Sequence, residues 1–254
     1  MINKYFDNNC KVLRIINNGK YPKLTDLNLK GLINLTSLNL PLDNIITNKG
    51  IEGLTNITSL NLSLNRMITN EGIKRLTNLT SLDLQYNDKI TDIGIKGLTN
   101  LSSLDLSQNN KIMTDEGIAM LFNLTSLNLN DNRIITDEGI SKLINLTHLD
   151  LRYNYIITDE GLKGLTNLTS LDLFYNKKIT NEGIKGLTNL IFLNLESNKI
   201  ITDKGIAMLI NLTSLNLSLN EKITNEGVKG LINLDSLNLS FNDKITNEGG
   251  KRVN

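Results

Sequence analysis

The sequence predicts an α/β solenoid, a coil in which one short strand and one short helix recur along the chain. Three observations carry that expectation. The tetrad T-[D/N]-x-G begins at Thr47, Thr69, Thr91, Thr114, Thr136, Thr158, Thr180, Thr202, Thr224 and Thr246, 22 residues apart with a single step of 23. Each copy follows an L-x-L alternation such as Leu171-Asp172-Leu173, the pattern of a half-buried strand. The composition is 39% hydrophobic but only 4% aromatic, so the core must be a stack of aliphatic side chains. A fixed period changes what every residue in it means, because each unit buries its apolar face against the next.

Written from its first leucine, the unit reads L-x-x-L-x-L-x-x-N-x-x-I-T-D-x-G-I-x-x-L-x-N. Ten copies start at Leu35, Ile57, Leu79, Leu101, Leu124, Leu146, Leu168, Leu190, Leu212 and Leu234. A degenerate copy starts at Leu13, with Asn18 and Tyr21 where later copies have Leu and Asn. Residues 1–34 are therefore expected to cap the N-terminal end, and 35–254 to form ten repeats, the last incomplete. The copy starting at Leu101 carries one extra residue in "NNKIMTDEG", which a turn can absorb.

Within each unit the strand must be short. After it, Ile-Thr-[Asp/Asn]-x-Gly-Ile-x-x-Leu predicts two helical turns: Thr is a good N-cap, and Asp and Glu favour the positive end of the helix dipole. Glu71 with Lys74, Glu160 with Lys163, Glu182 with Lys185 and Glu226 with Lys229 stand at i,i+3 on the outer face, each pair worth about 0.2 to 0.5 kcal/mol. The tetrad's glycine is expected to let the helix start lie against the neighbouring coil, where a side chain would push repeats apart. A phosphate-binding or acid/base loop is the alternative for "TDEGLKG". Its tenfold recurrence and the missing G-x-x-x-x-G-K-[S/T] weigh against it. Asn65, Asn87, Asn109, Asn132, Asn154, Asn176, Asn198, Asn220 and Asn242, with Asp43 in the first copy, end successive strands. Their amides can satisfy their own turn and the adjacent coil together. A second Asn column, including Asn56, Asn145 and Asn167, falls between helix and next strand, where left-handed backbone is expected.

A net charge of +1 gives no electrostatic reason to expect nucleic acid or an anionic membrane. Cys10 is the one cysteine, so no intrachain disulfide forms. The segment "MINKYFDNNCKVLRIINNGK" lacks an apolar signal core and no stretch reaches the length of a membrane span, which predicts a cytoplasmic protein. The N-x-[S/T] triplets then read as by-products of the repeat rather than glycosylation sites. One His and one Cys, far apart, leave no catalytic constellation, so neither enzyme chemistry, cofactor nor metal is expected.

L-x-x-L-x-L-x-x-N, matched from about residue 35 to the end with a weak copy from 13, resembles the leucine-rich repeat proteins. The N-x-x-I-T-D-x-G-[I/L]-x-x-L portion is similar to their cysteine-containing and ribonuclease-inhibitor-like subclasses, with Asn in place of Cys and a short period of 22. "LTNLTSLDL" is also similar to bacterial surface repeats of this length. The resemblance implies a curved right-handed coil with a parallel sheet on its concave face and short helices on its convex face. It further implies a non-enzymatic scaffold that binds other proteins. Some relatives of this subclass are ubiquitin-ligase adaptors. That alternative needs an F-box of roughly forty residues in this chain or another subunit, and about twelve residues precede Leu13.

Function is then to be sought where the repeat varies. Strand alternation points the third, fifth and seventh positions to one face. The third is mostly Ser, with His148 and Phe192 as exceptions; the fifth is Asn or Asp, including Asp83, Asp105, Asp150 and Asp172. Neighbouring Asp pairs could suggest an acid/base or cation site, but no His or Glu with ligand spacing accompanies them, and a solvated stripe is the plainer reading. Five of the eleven aromatics, Tyr153, Tyr155, Phe174, Tyr175 and Phe192, fall in the three copies starting at Leu146, Leu168 and Leu190. His148 and Arg152 join them. Aromatics and Arg most often anchor interfaces. The candidate partner-binding residues are therefore His148, Asp150, Arg152, Tyr153, Asp172, Phe174, Tyr175, Phe192 and Glu196. The plainer reading is drift on a tolerant surface, with Arg152 stacked over Phe174. At the other end, "EGGKRVN" places Gly250 where Ile or Leu belongs, so Leu234, Leu237, Leu239 and Ile245 are expected to be partly exposed. The chain is expected to be monomeric, with end-on self-association as the alternative.

Overall fold

A computed structural model describes residues 10–14, 24–109 and 112–246. Asn18, Tyr21, Gly250 and part of the insertion in "NNKIMTDEG" lie outside the described residues. The chain forms two compact units, one ending at Leu124 and one beginning at Thr125.

In the first unit the order is β1 (Val12–Arg14), α1 (Asp26–Leu29), β2 (Ser37–Asn39), α2 (Asn48–Ile51), β3 (Ser59–Asn61), α3 (Asn70–Ile73), β4 (Ser81–Asp83), α4 (Asp92–Ile95), β5 (Ser103–Asp105) and α5 (Asp115–Ile118). The second unit has β6 (Ser126–Asn128), α6 (Asp137–Ile140), β7 (His148–Asp150), α7 (Asp159–Leu162), β8 (Ser170–Asp172) and α8 (Asn181–Ile184). It continues with β9 (Phe192–Asn194), α9 (Asp203–Ile206), β10 (Ser214–Asn216), α10 (Asn225–Val228) and β11 (Ser236–Asn238). Within each unit the strands pair in parallel in chain order and in step: Leu13 opposes Leu38, Leu38 opposes Leu60, and Leu149 opposes Leu171. The degenerate copy does enter the first sheet, but three residues out of the expected register: Leu13 opposes Leu38, the fourth position of its repeat, rather than Leu35, the first.

The strand leucines face inward. Leu38, Leu40, Leu171 and Leu173 are buried, as are the helix-side Ile46, Ile51, Leu54 and their equivalents. Among the described residues the core is a set of aliphatic columns without a buried aromatic anchor. The helices are shorter than expected, one turn of four residues each. After α7 the chain closes instead through two tight turns, with Leu165 N–H donating to Leu162 O and Leu168 N–H to Leu165 O at 3.0 and 3.1 Å. Three-residue bonds advance the chain faster per residue than a second α-turn would, and a 22-residue period must return to the sheet at once. Three of the expected surface pairs form: Lys74 to Glu71 at 2.6 Å, Lys163 to Glu160 at 3.6 Å, and Lys185 to Glu182.

Within each unit, three rows of side-chain amides and carboxylates stitch one coil to the next. The first is the expected column: Asn154 is 0% exposed, its Nδ2 donates to Leu129 O and Asn132 O, and its Oδ1 accepts from Ile156 and Ile157 N–H. Asp43 keeps the accepting half, taking Ile45 and Ile46 N–H. The second column corrects the expectation of left-handed backbone. Asn56 and Asn167 instead donate from Nδ2 to Ile33 O and Ile144 O of the preceding coil at 2.8 and 2.9 Å. The third row is one the tetrad conceals. Its Asp or Asn reaches forward to the next tetrad's Thr: Thr158 donates its N–H to Asp137 Oδ1 at 2.8 Å and its hydroxyl to Oδ2 at 2.6 Å. Where the residue is Asn the hydroxyl reverses role, so that Asn48 Nδ2 donates to Thr69 Oγ1 at 2.9 Å while Oδ1 still takes the Thr69 N–H. Thr can do both because a hydroxyl is donor and acceptor.

The left-handed residues lie at the eighth position, just past each strand: Leu42, Leu64, Tyr86, Gln108, Asp131, Tyr153, Tyr175, Ser197, Leu219 and Phe241 have φ between 49° and 58°. The conformation turns the chain while keeping the ladder, since Leu64 N–H still donates to Gln85 O at 2.9 Å and Tyr175 N–H to Glu196 O at 3.0 Å. None of the ten is β-branched, the class least able to adopt positive φ. Leu64→Val should therefore cost about 1 to 2 kcal/mol while Leu64→Asn is near neutral. Equal chemical denaturation midpoints for the two variants would remove backbone strain as the explanation.

At the far end of the second unit Leu234, Leu237, Leu239 and Ile245 are half-buried, whereas Leu212, Leu217 and Ile223, their counterparts one repeat earlier, are 0% exposed. Among the described residues no helix is long and apolar enough to cross a membrane.

Candidate functional site

Because position 3 opens each strand, position 5 ends it and positions 7 and 8 follow, the varied residues of neighbouring repeats are brought side by side by the sheet register. At the third and fifth positions β2, β3, β6, β10 and β11 carry Ser and Asn, β4, β5 and β8 Ser and Asp, β7 His and Asp, and β9 Phe and Asn.

At the fifth position Asp150 opposes Asp172, which opposes Asn194. Each turns back to hold its own loop, Asp150 Oδ1 accepting the Arg152 N–H and Asp172 Oδ1 the Phe174 N–H, both at 2.9 Å. The Arg152 guanidinium forks onto Asp150, with Nη2 at 2.6 Å and Nε at 2.8 Å from Oδ2, and its Nε also lies 3.8 Å from Asp172 Oδ2. Burial pushes the Asp172 carboxyl up from its ordinary value, against the lowering effect of the Phe174 N–H and the Asn194 side chain; the Asp150 charge adds to the rise and Arg152 opposes it. In the first unit, burial likewise raises Asp83, opposed by the Gln85 N–H and reinforced by Asp105. Among the described residues no group of three or more His, Cys, Asp or Glu could hold a metal ion.

Beyond the strand ends three rings meet. Tyr153 and Phe174 pack edge to face at 4.9 Å between centroids; Tyr175 lies 5.5 Å from Tyr153 and 6.3 Å from Phe174. Offset and edge arrangements are those the ring quadrupoles favour. Tyr153 and Tyr175 are 38% and 37% exposed and Phe174 is half-buried, so the cluster stands on the surface. The left-handed turn at position 8 makes the contact possible by laying Tyr153 against the next repeat's position 7. Arg152 is committed to the carboxylates rather than serving chiefly as a lid on Phe174. The cation over a ring is Lys177, whose Nζ sits 4.4 Å above Tyr175 and which the sequence reading did not single out. Two residues after Tyr175 on the same turn was the available signal.

The remaining candidates divide. Glu196 follows β9 and accepts from Asn216 Nδ2 at 3.1 Å, beside the cluster. His148 and Phe192 open β7 and β9, four residues before the seventh position, which at about 3.3 Å per residue puts them about 13 Å from the rings. His148 is exposed, with Nδ1 2.8 Å from Thr147 Oγ1, and Phe192 lies between Ser170 and Ser214. Ser63 and Ser218, at position 7 elsewhere, are buried, so that position does not present every side chain to solvent.

A parallel-stranded coil closed by three polar stitches per turn defines a class of repeat solenoid, and comparison with known proteins narrows it. Family models described as leucine rich repeats match residues 77–119, 122–177, and 53–76, 186–210, 209–232 and 230–253. The chain belongs to the leucine-rich repeat proteins. Among solved structures it is similar to an internalin of Listeria monocytogenes, with 25% identity over 97% of this chain and 83% of that one and a TM-score of 0.55. A leucine-rich repeat protein of Leptospira interrogans is 27% identical over 93% of this chain and 77% of that one, with a TM-score of 0.63. TLR13 in its complex with ssRNA13 is 28% identical over 86% of this chain but 34% of that one, also with a TM-score of 0.63. No curated protein sequence matches the chain.

Proposed function

We propose that the chain is a non-enzymatic scaffold that binds a protein partner on the strand face of its second unit. The contact centres on Tyr153, Phe174 and Tyr175, with Asp150, Arg152, Asp172 and Glu196 around them and His148 and Phe192 as outlying contacts. The observation that carries this reading is the three-ring cluster, in which Tyr153, Phe174 and Tyr175 of adjacent repeats meet one another on the surface. Leucine-rich repeat proteins generally act as protein-interaction scaffolds, and surface aromatics in mutual contact are the residues that hot spots use. An RNA ligand, as in the TLR13 complex, is disfavoured by Asp150, Asp172 and Glu196, which would face its phosphates. The closest pattern within the family remains the cysteine-containing and ribonuclease-inhibitor-like subclasses, with Asn as the stitching residue.

Phe174→Ala combined with Tyr175→Ala tests the reading. Partners captured by the wild-type chain and identified by mass spectrometry are then measured singly against the variant, whose affinity should fall by about 2 to 3 kcal/mol, roughly 30- to 150-fold. Ser214→Ala, half-buried on β10, should leave affinity unchanged. Binding that survives the double variant but is lost when Glu160–Lys163 and Glu182–Lys185 are reversed in sign would move the functional face to the helices.

A further inference from the structure

We propose that the segment captured by this face is cationic: a Lys or Arg side chain of the partner protein inserts between the Asp172 and Glu196 carboxylates and the rings of Phe174 and Tyr175. The proposal rests on the protein-binding reading of the same face and adds the chemistry of what binds.

Charge complementarity is the first support. Over the third, fifth and seventh positions of β6 to β11 the second unit presents Asp150, Asp172 and Glu196 against Arg152, and with Lys177 over the Tyr175 ring three carboxylates stand beside two cations. Arg152 is held in a fork by Asp150, so it neutralises mainly one of the three. The chain as a whole is slightly positive, so the negative charge is local to this face. A basic partner gains there; an acidic one meets like charge.

The second support is that the rings already receive a cation. Lys177 Nζ stands 4.4 Å over Tyr175, a geometry in which the ring quadrupole attracts an ammonium group. A partner's Lys or Arg would approach the same cluster from the strand side. There Asp172 is partly desolvated with its carboxyl pushed up by burial, so a cation delivered to it strengthens the ionised form.

The experiment uses the whole chain and a random dodecapeptide library displayed on phage, with counter-selection on the Phe174→Ala/Tyr175→Ala variant. Selected peptides should be enriched in Lys and Arg. Resynthesised, they should lose affinity by about tenfold or more with Asp172→Asn/Glu196→Gln, and by much less with Asp83→Asn/Asp105→Asn, which makes the same change of net charge in the first unit. Asn already fills the fifth position in β9 and β10, so the Asp172 substitution should keep the fold, as an unchanged thermal midpoint would show. Peptides that need the rings but are acidic or uncharged overturn the cationic ligand and leave the binding face standing. Peptides indifferent to Phe174 and Tyr175, or a selection that never separates the two proteins, overturn both. A single-stranded oligoribonucleotide that competes at this face would overturn the protein partner itself.

Discussion

Asn176→Ala should lower the unfolding free energy by about 3 kcal/mol. The side chain is 0% exposed and makes four bonds: Nδ2 donates to Leu151 O at 3.3 Å and Asn154 O at 2.9 Å, and Oδ1 accepts from Lys178 and Ile179 N–H at 2.9 Å. Alanine leaves the Asn154 carbonyl and the Lys178 and Ile179 amides without these partners, each worth about 1 kcal/mol, while Leu151 O keeps the Asn154 N–H at 3.1 Å. Asn176→Asp should be no milder near neutral pH, because it keeps the accepting half but loses both donors and buries a charge. Guanidinium denaturation with the slope held equal reads the difference; a midpoint like wild type for Asn176→Ala would mean that this row does not hold the coils together.

Gly161→Ala should cost about 3 kcal/mol, whereas Gly164→Ala, three residues on, should be neutral or stabilising by about 0.5 kcal/mol. A Cβ on Gly161 would stand 2.5 Å from Asp137 Oδ1 and 3.1 Å from Ile157 Cγ2. That oxygen holds the Thr158 N–H, so it cannot move without breaking the stitch to the next coil. A Cβ on Gly164 meets only Ser141 O at 3.6 Å, an ordinary contact. Two glycines in one "TDEGLKG" thus differ because one faces a backbone-anchored carboxylate and the other open space. Equal melting temperatures for the two variants would sink the close-approach account.

That glycine was readable in advance, since a residue without a side chain recurring at a helix start has few other uses. The buried Asn column was readable for the same reason: a polar residue repeated amid leucines must be satisfied by its neighbours. The tetrad's Asx was only half legible: it does stand in the first turn of its helix after an N-cap Thr, as expected, but sequence does not tell a residue serving only its own helix from one also reaching 21 positions forward. The left-handed corner was invisible in sequence, for Leu, Tyr and Ser there carry none of the Gly or Asn signature of positive φ. Of the candidate site, the enrichment of aromatics could be counted along the chain. That Tyr153, Phe174 and Tyr175 touch depends on the corner, and so emerged only in three dimensions, whereas the separation of His148 and Phe192 follows from their place four residues earlier in the repeat.

The reversible Thr hydroxyl bears on how such a chain can change over generations. Asp26 and Asn48 both bond the following Thr, one by accepting a hydrogen bond from its hydroxyl at 2.6 Å and one by donating to it at 2.9 Å. Either kind of unit can therefore sit ahead of any other, and the junction does not record which copy came before. A gene that duplicates, deletes or shuffles whole 22-residue segments would keep every stitch intact, leaving copy number and surface residues free to diverge while the thread between coils stays the same.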